Sequence, residues 1–278
     1  MTSPPVADRA RELAIALEQP QSVNDAEARE LISKALDAGP AGGSRQSVVV
    51  CAFGALIKEP LLSEYEILNV HPSLLPRWRG AAPVERAIMA GDTQTGVSIM
   101  RLTAGLDSGP VCLTGTEPIR PDDTYGSLAG RLQQLAGDLL ARALDEDTPF
   151  VEQPEDGVTY AEKLGPEDRL LDPSRPAIEL ERTVRALQPH IGARVTLADG
   201  SLLGVQRAAL LDAGDQADGQ LLPDHAATHD QLGPYEREGR LLLACESGTL
   251  ELLVVQPPGG RAMDAAAYLR GHGLPGRA

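Results

Sequence analysis

Two different hydrophobic patterns divide this chain of 278 residues near Phe150. Before that point, short β-branched runs alternate with longer amphipathic segments. The runs predict strands at 47–52, 66–70, 96–101 and 111–116, and the segments predict helices at 6–17, 25–37, 82–90 and 124–144. Short, continuous apolar runs are typical of strands buried on both faces of a parallel sheet. Since strands that alternate with helices form α/β layers, this part predicts a parallel α/β domain.

Beyond Phe150 the pattern is that of a small β domain. Residues 151–175 are rich in proline, glycine and acidic residues, as is typical of an interdomain linker. Helices are predicted at 177–187 and 263–270, a polar loop at 212–236, and short strands at 193–198, 202–210, 240–245 and 249–256. We therefore expect an α/β domain over 1–150, a linker over 151–175 and a small β-barrel or sandwich over 176–278.

Composition excludes several classes of protein. Hydrophobic residues make up 42% of the chain and charged residues 23%, which is a globular mixture. No run approaches the roughly 18 apolar residues of a membrane span, and the N-terminus lacks the basic and apolar regions of a signal peptide. Three widely spaced cysteines argue against a disulfide framework and a CxxC zinc site. We expect a cytoplasmic protein without a membrane partner, and a monomer by default.

Charge and missing motifs narrow the chemistry further. The net charge of −15 repels phosphate, so any nucleic-acid contact needs a local basic patch. Aromatic residues make up only 3% of the chain, too few for a surface that binds single strands by stacking. The sequence contains no Walker A loop, no GxGxxG and no GxSxG, which argues against an NTPase, a dinucleotide enzyme and a serine hydrolase.

The most informative stretch, residues 69–80, begins where a predicted strand ends, and ligands of open α/β sheets bind there. Asn69 and His71 are two residues apart, so both side chains share one face of an extended strand. Asp107 lies in a tight glycine-rich turn. An imidazole, an amide and a carboxylate on loops at one sheet edge form a plausible acid–base set, in which Asp107 orients the imidazole. The alternative, which stays open, is a loop histidine and a turn-forming aspartate.

Arg77, Arg79 and Arg86 are the densest basic group beside this set. They are either surface arginines or contacts for a phosphate or acidic ligand, and the acidity of the surrounding sequence favours the contacts. His225 and His229 have metal-like spacing, but they lie in a polar loop without other nearby ligands. We therefore expect a solvated loop there and no bound metal. His190, after a proline at a helix end, is expected to be a capping or packing residue.

Residues 69–109, NVHPSLLPRWRGAAPVERAIMAGDTQTGVSIMRLTAGLDSG, closely resemble the core of the methionyl-tRNA formyltransferases, a branch of the folate-dependent formyltransferases. The string SLLPRWRGAAP is specific for that branch. The likeness continues through 160–165, 185–190 and 253–263, so it covers most of the chain. It implies an N-terminally truncated, Rossmann-like parallel-sheet catalytic domain followed by an OB-like β-barrel of the tRNA-binding type.

The resemblance implies transfer of a formyl group from 10-formyltetrahydrofolate to the amino group of methionyl-initiator-tRNA, without a metal. Asn69, His71 and Asp107 match the catalytic trio of the family. The residues that match its folate-contacting segments are Ser73, Leu74, Leu75, Pro76, Phe53, Gly54, Leu56 and Ile57. The basic group Arg77, Arg79 and Arg86 is then expected to contact tRNA.

Two other functions remain open at this point. One is a sister enzyme that formylates a small amine, and the other is a non-catalytic remnant that contacts RNA. The resemblance also implies that strands and a basic insertion precede the part of the family matched here. The strand at 48–52 should then lie at the sheet edge, and formyl transfer by this chain should be weak or absent.

Overall fold

The computed structural model describes residues 4–38, 47–211 and 232–274. The first part of the chain contains α1 Pro5–Glu12, α2 Ala26–Asp37, β1 Val48–Cys51, α3 Leu61–Glu64, β2 Ile67–His71, β3 Arg79–Gly80, α4 Pro83–Ala90, β4 Gln94–Arg101, β5 Val111–Pro118 and α5 Tyr125–Asp145. All the helices and strands predicted before Phe150 are present, with α1 ending five residues earlier than predicted.

Four strands form the central sheet in the order β1-β2-β4-β5. β1 and β2 are parallel, whereas β4 pairs antiparallel with both β2 and β5. The expectation of an all-parallel sheet is therefore wrong for these pairs. β4 and β5 are joined by a short loop without a crossover helix, and such a connection only permits antiparallel pairing.

Among the described residues, β1 is one of the two outer strands of this sheet, as the resemblance implies for the strand at 48–52. The sequence predicts that β1 is buried on both faces. Val49 and Cys51 are exposed instead, so only one face of β1 is covered. Val48 and Val50 pack instead against a small core around Leu61. A cavity of about 190 Å³ is lined by β1, α2 and the segment after β1.

α5 is the main helix that covers the sheet. Its first turn carries a reciprocal cap, because Thr124 Oγ1 accepts from the Ser127 backbone N–H and the Ser127 hydroxyl accepts from that of Thr124. Its buried face packs in one cluster with β2 and β4 and contains Leu128, Leu132, Leu139 and Ala143. Full burial of each leucine contributes about 1.5–3 kcal/mol.

The second part of the chain is an antiparallel barrel-like domain. Its elements are β6 Tyr160–Ala161, a 3₁₀ turn at Glu167–Arg169, α6 Ala177–Ala186, β7 Ala193–Thr196, β8 Leu202–Leu210, β9 Gly233–Arg237, β10 Arg240–Ala244, β11 Thr249–Gln256, β12 Met263–Asp264 and α7 Ala265–His272. The strand order is β7-β8-β11-β10-β9, with β12 on β11, and the outer strands β7 and β9 approach each other. The predicted class, an α/β domain followed by a small barrel, is confirmed.

The segment 151–175 packs against both parts of the chain. Val151 forms an antiparallel bridge with Val111 beside the sheet, β6 pairs in parallel with β3, and Leu171 lies in the barrel core. Direct bonds also join the two parts, for example from Arg185 Nη1 to the Asp123 carbonyl over 2.7 Å. The barrel is thus docked against the α/β domain.

The sequence missed several short elements, namely the strands β3, β6, β9 and β12 and the 3₁₀ turn at Glu167–Arg169. β9 overlaps the end of the predicted polar loop 212–236, most of which is outside the described residues. β3 and β6 are two residues each, and their pairing joins positions about 80 residues apart, which leaves no periodic pattern to detect. Within the described ranges, no helix is both long and apolar enough to span a bilayer.

Candidate active site

The loops around β2 bring the predicted side chains together. Asn69 and His71 are two residues apart in β2 and therefore lie on one face of the sheet. The backbone N–H of Leu102 donates to the carbonyl of Ile67, so the β4–β5 loop begins at the opposite end of β2 from His71. Asp107, further along this loop, nevertheless contacts both side chains, so the structure brings the three predicted residues together.

The Asp107 carboxylate is the centre of the cluster. Its Oδ1 accepts from Asn69 Nδ2 over 3.2 Å, and its Oδ2 accepts from the backbone N–H of Gly80 over 2.9 Å. The same Oδ2 lies 3.6 Å from His71 Nδ1, which is an electrostatic contact beyond hydrogen-bond length. The amide, the imidazole and the carboxylate therefore form one contiguous group.

His71 is 4% exposed, and its Nε2 lies 2.8 Å from the carbonyl oxygen of Trp78. Because a carbonyl oxygen only accepts, Nε2 carries the proton, and in the neutral ring Nδ1 is the nitrogen that faces Asp107. Burial lowers the pKa of His71 below its ordinary 6.5, against the opposing effects of Asp107 and the Trp78 carbonyl. The neutral imidazole can take up a proton beside the carboxylate.

The backbone of Asp107 has a φ of 42°, a conformation that residues other than glycine rarely adopt. Gln153 holds this turn, because its Nε2 donates to the carbonyls of Asp107 and Gly109, both over 2.8 Å. Sequence reasoning missed Gln153. It is 46 residues from Asp107 in a segment predicted as a linker, and no motif or periodic pattern around it indicates a contact with Asp107.

The segment 73–76, predicted to contact folate, is braced by β4. Ser73 is fully buried, its hydroxyl donates to the Arg77 carbonyl over 2.6 Å, and its own carbonyl accepts from the Ser98 hydroxyl over 2.7 Å. Ser98 Oγ in turn accepts from the backbone N–H of Leu75. Leu74 is half-buried and sits so close to Gly96 that a Cβ there would lie 2.6 Å from Leu74 Cδ2. The loop is thus fixed rigidly above the sheet.

The other predicted folate segment follows β1. Since β1 and β2 run in parallel with Cys51 beside Val70, residues 53–57 leave the sheet at the same edge as the loop after His71. Phe53 is 48% and Leu56 is 68% exposed, whereas Ile57 is buried. Phe53 and Leu56 therefore present apolar side chains to solvent on this segment.

The predicted basic group is engaged within the protein. Arg77 makes a bidentate pair with Asp92, at 2.8 and 2.6 Å, and lies over the ring of Trp78. Arg79 donates twice to Gln153 Oε1. The third member, Arg86, pairs bidentately with Asp168 at 2.7 and 3.1 Å. The structure therefore does not gather the three guanidinium groups into one open patch.

His190 takes part in domain packing, consistent with its expected role. Its Nε2 lies 2.9 Å from Glu85 Oε1, and its ring is 3.8 Å from that of Tyr125. His225 and His229 lie outside the described residues. In the described part of the chain, no three His, Cys, Asp or Glu residues are grouped so as to hold a metal ion.

Two family models match the chain almost end to end. The formyl transferase model matches residues 5–144, and the model of the formyl transferase C-terminal domain matches 163–273. A methionyl-tRNA formyltransferase of Halorhodospira halophila is 40% identical over 281 residues, which cover 99% of this chain and 84% of the relative. The chain belongs to the methionyl-tRNA formyltransferase family. Another member, from Ruegeria pomeroyi, is 40% identical over 98% of this chain and 83% of its own length.

Solved structures agree with this membership at the level of the fold. A methionyl-tRNA formyltransferase from Clostridium thermocellum superposes with a TM-score of 0.57 at 14% identity, covering 74% of this chain and 88% of that one. HypX from Aquifex aeolicus in complex with tetrahydrofolic acid gives 0.54 at 19% identity, covering 82% and 39%. At these identities the similarity establishes the formyltransferase fold only.

Proposed function

We propose that this chain transfers a formyl group from 10-formyltetrahydrofolate to the α-amino group of methionine on initiator tRNA. The observation that carries the proposal is the convergence of Asn69, His71 and Asp107 in a chain 40% identical to methionyl-tRNA formyltransferases over nearly its whole length. The formyl donor supplies an activated one-carbon group, and no metal is needed.

Asn69 is proposed to stabilise charge on the formyl oxygen. When the amine attacks, negative charge develops on that oxygen, and a fixed N–H donor lowers the barrier. Asn69 spends one of its two side-chain N–H groups on Asp107 Oδ1, which orients the amide. The same bond fixes the direction of the second N–H, which is the one proposed to donate to the formyl oxygen. His71 adds a second donor once Nε2 exchanges the Trp78 carbonyl for the formyl oxygen.

His71 and Asp107 are proposed to carry the proton. The C–N bond to the incoming amine forms, the bond from the formyl carbon to N10 breaks, and one proton passes from the amine to N10. Asp107 accepts that proton, directly or through a water molecule, and returns it to N10. Asp107 Oδ2, 3.6 Å from His71 Nδ1, would stabilise a proton on that nitrogen. Either His71 or Asp107 can therefore hold the transferred proton.

The folate is proposed to lie against the two loops that leave the sheet beyond β1 and β2. Phe53 and Leu56 offer exposed apolar surface, and an added Cβ on Gly54 would meet no atom within 4 Å, so there is room for a ring close to the backbone. Buried Ile57 supports this segment from below. The braced loop Ser73, Leu74, Leu75 and Pro76 supplies the opposite wall.

The tRNA is proposed to bind across both domains. We divide the chain into a catalytic domain over 1–150, a linking segment over 151–175 and a tRNA-binding barrel over 176–278, and the two family matches support this division. Arg77, Arg79 and Arg86 remain the proposed tRNA contacts. Each would have to keep or exchange its internal partner when tRNA binds. A monomer in the cytoplasm, where tRNA is charged, is the arrangement we propose.

The test is a formylation assay with the purified chain and 10-formyltetrahydrofolate. The amine acceptors are methionyl-initiator-tRNA, methionyl-elongator-tRNA, uncharged tRNA, free methionine and an amino-sugar nucleotide. We expect formyl-methionine from the charged initiator tRNA alone.

Other outcomes identify the alternatives. Formylation of the amino sugar but of no tRNA would establish the small-amine enzyme. If calorimetry detects no folate binding and the chain binds tRNA without transferring a formyl group, the non-catalytic remnant would be established.

A further inference from the structure

Gln153 has an unusually complete set of partners for a side chain in an interdomain segment. Its Nε2 donates to the carbonyls of Asp107 and Gly109, both over 2.8 Å. Its Oε1 accepts from Nε and Nη2 of Arg79 over 3.0 and 2.8 Å. Both amide hydrogens face acceptors and the oxygen faces two donors, so the orientation of this amide is unambiguous.

These bonds close a ring around the carboxylate. Arg79 holds Gln153, Gln153 holds the Asp107 backbone, and the Asp107 side chain accepts from the backbone N–H of Gly80, the residue next to Arg79. The loop after β2 and the β4–β5 loop are thereby tied together twice, once through a carboxylate and once through an amide.

The turn needs an external support because its own conformation is unfavourable. Asp107 has a positive φ, which costs a non-glycine residue free energy relative to the ordinary regions. Gly109 packs so tightly that a Cβ would lie 2.0 Å from the Arg101 carbonyl. Two donors from Gln153 on the carbonyls of Asp107 and Gly109 hold this turn in the shape that aims the carboxylate at Asn69 and His71.

We propose that Gln153 is a positioning residue for formyl transfer, which acts through Asp107 by holding the 107–109 turn from the interdomain segment. The inference rests on the proposed function of Asp107. It assigns a catalytic consequence to a residue outside the sheet, and it makes Arg79 the anchor of that residue.

The test compares Gln153→Met and Gln153→Glu with Gln134→Met as the control. Methionine fills the same space without donors, and glutamate keeps an acceptor for Arg79 but presents no donor to the carbonyls. Gln134 is an exposed glutamine of α5 whose partner is Asp138. Single-turnover rates are measured with methionyl-initiator-tRNA, and KM for both substrates is measured at steady state. The fraction of protein molecules that bind folate is determined for each variant.

We expect both Gln153 variants to lower the rate by about 10- to 100-fold, since misplacing a reacting group by 1 Å has an effect of that order. KM values should change by less than about threefold, and the control should match the parent. Because the effect passes through Asp107, adding Gln153→Met to Asp107→Asn should lower the rate by less than about twofold more. The inference would be overturned if the rate of the double variant fell by the product of the two single-variant effects. A Gln153→Glu variant as active as the parent would also overturn it.

Hydrogen exchange keeps the two proposals separable. In Gln153→Met, the amides of 105–109 should exchange at least about tenfold faster than in the parent, with the rest of the sheet unchanged. If the parent formylates no amine, the proposed function fails, and faster exchange at this turn still establishes the support by Gln153. Unchanged exchange would remove the inference whatever the activity.

Discussion

Replacement of Asp107 by asparagine separates the charge of this residue from its shape. The two carboxylate oxygens accept from Asn69 Nδ2 and from the Gly80 N–H, at 3.2 and 2.9 Å. An asparagine amide has the same outline, but whichever way it is placed, its NH₂ group faces one of those donors. One hydrogen bond is therefore lost and two donors meet. The free energy of unfolding should fall by about 1–3 kcal/mol, and the melting temperature by roughly 3–10 °C.

The effect on rate should be larger than the effect on stability. Asparagine neither accepts the amine proton nor stabilises a proton on His71, so kcat should fall by about 10²- to 10⁴-fold, the usual contribution of a general base. This corresponds to about 3–5.5 kcal/mol of activation free energy. Rates are measured by formylation of methionyl-initiator-tRNA well below the melting temperature, with exposed Asp138→Asn as the matched control. A folded Asp107→Asn protein with kcat within threefold of the parent would refute the assigned role.

Three further predictions concern stability. His71 has a lowered pKa, so the unfolded chain takes up a proton at higher pH than the folded one. The free energy of unfolding, measured by urea titration, should therefore fall as pH drops below about 6.5. His71→Gln should make the free energy of unfolding less dependent on pH in this range. Arg131 holds the pKa of Asp123, whose side chain is 4% exposed, well below its ordinary 3.8. Arg131→Met should lower the free energy of unfolding by about 3–5 kcal/mol at pH 7. This deficit should shrink as pH falls below 3.8, because the unfolded chain then binds a proton at Asp123 that the folded parent does not, which destabilises the parent. An equal deficit at pH 7 and well below pH 3.8 would contradict this. Leu128→Ala should cost about 2–5 kcal/mol by guanidinium titration because the side chain is fully buried, whereas the 79% exposed Val6→Ala should change stability by less than about 0.5 kcal/mol; equal effects would contradict the described core.

The local pattern of the sequence determined the elements and the chemistry. Hydrophobic periodicity predicted α5 and the four central strands within a few residues, because the side-chain periods of helix and strand are visible in any short window. The spacing of Asn69 and His71 was enough to place both on one face of β2. The string 69–109 was enough to indicate the family, which the comparisons confirm.

Only the tertiary structure decided what the long-range partners are. The direction of β4, the bond from Gln153 to Asp107, and the pairing of Arg86 with Asp168, 82 residues away, leave no mark on local periodicity. Arginines that look like free cations in sequence turn out to hold loops and domains together, since a guanidinium in a partly buried position needs an acceptor. Register and loop path set these contacts, and they form only when the whole chain is folded.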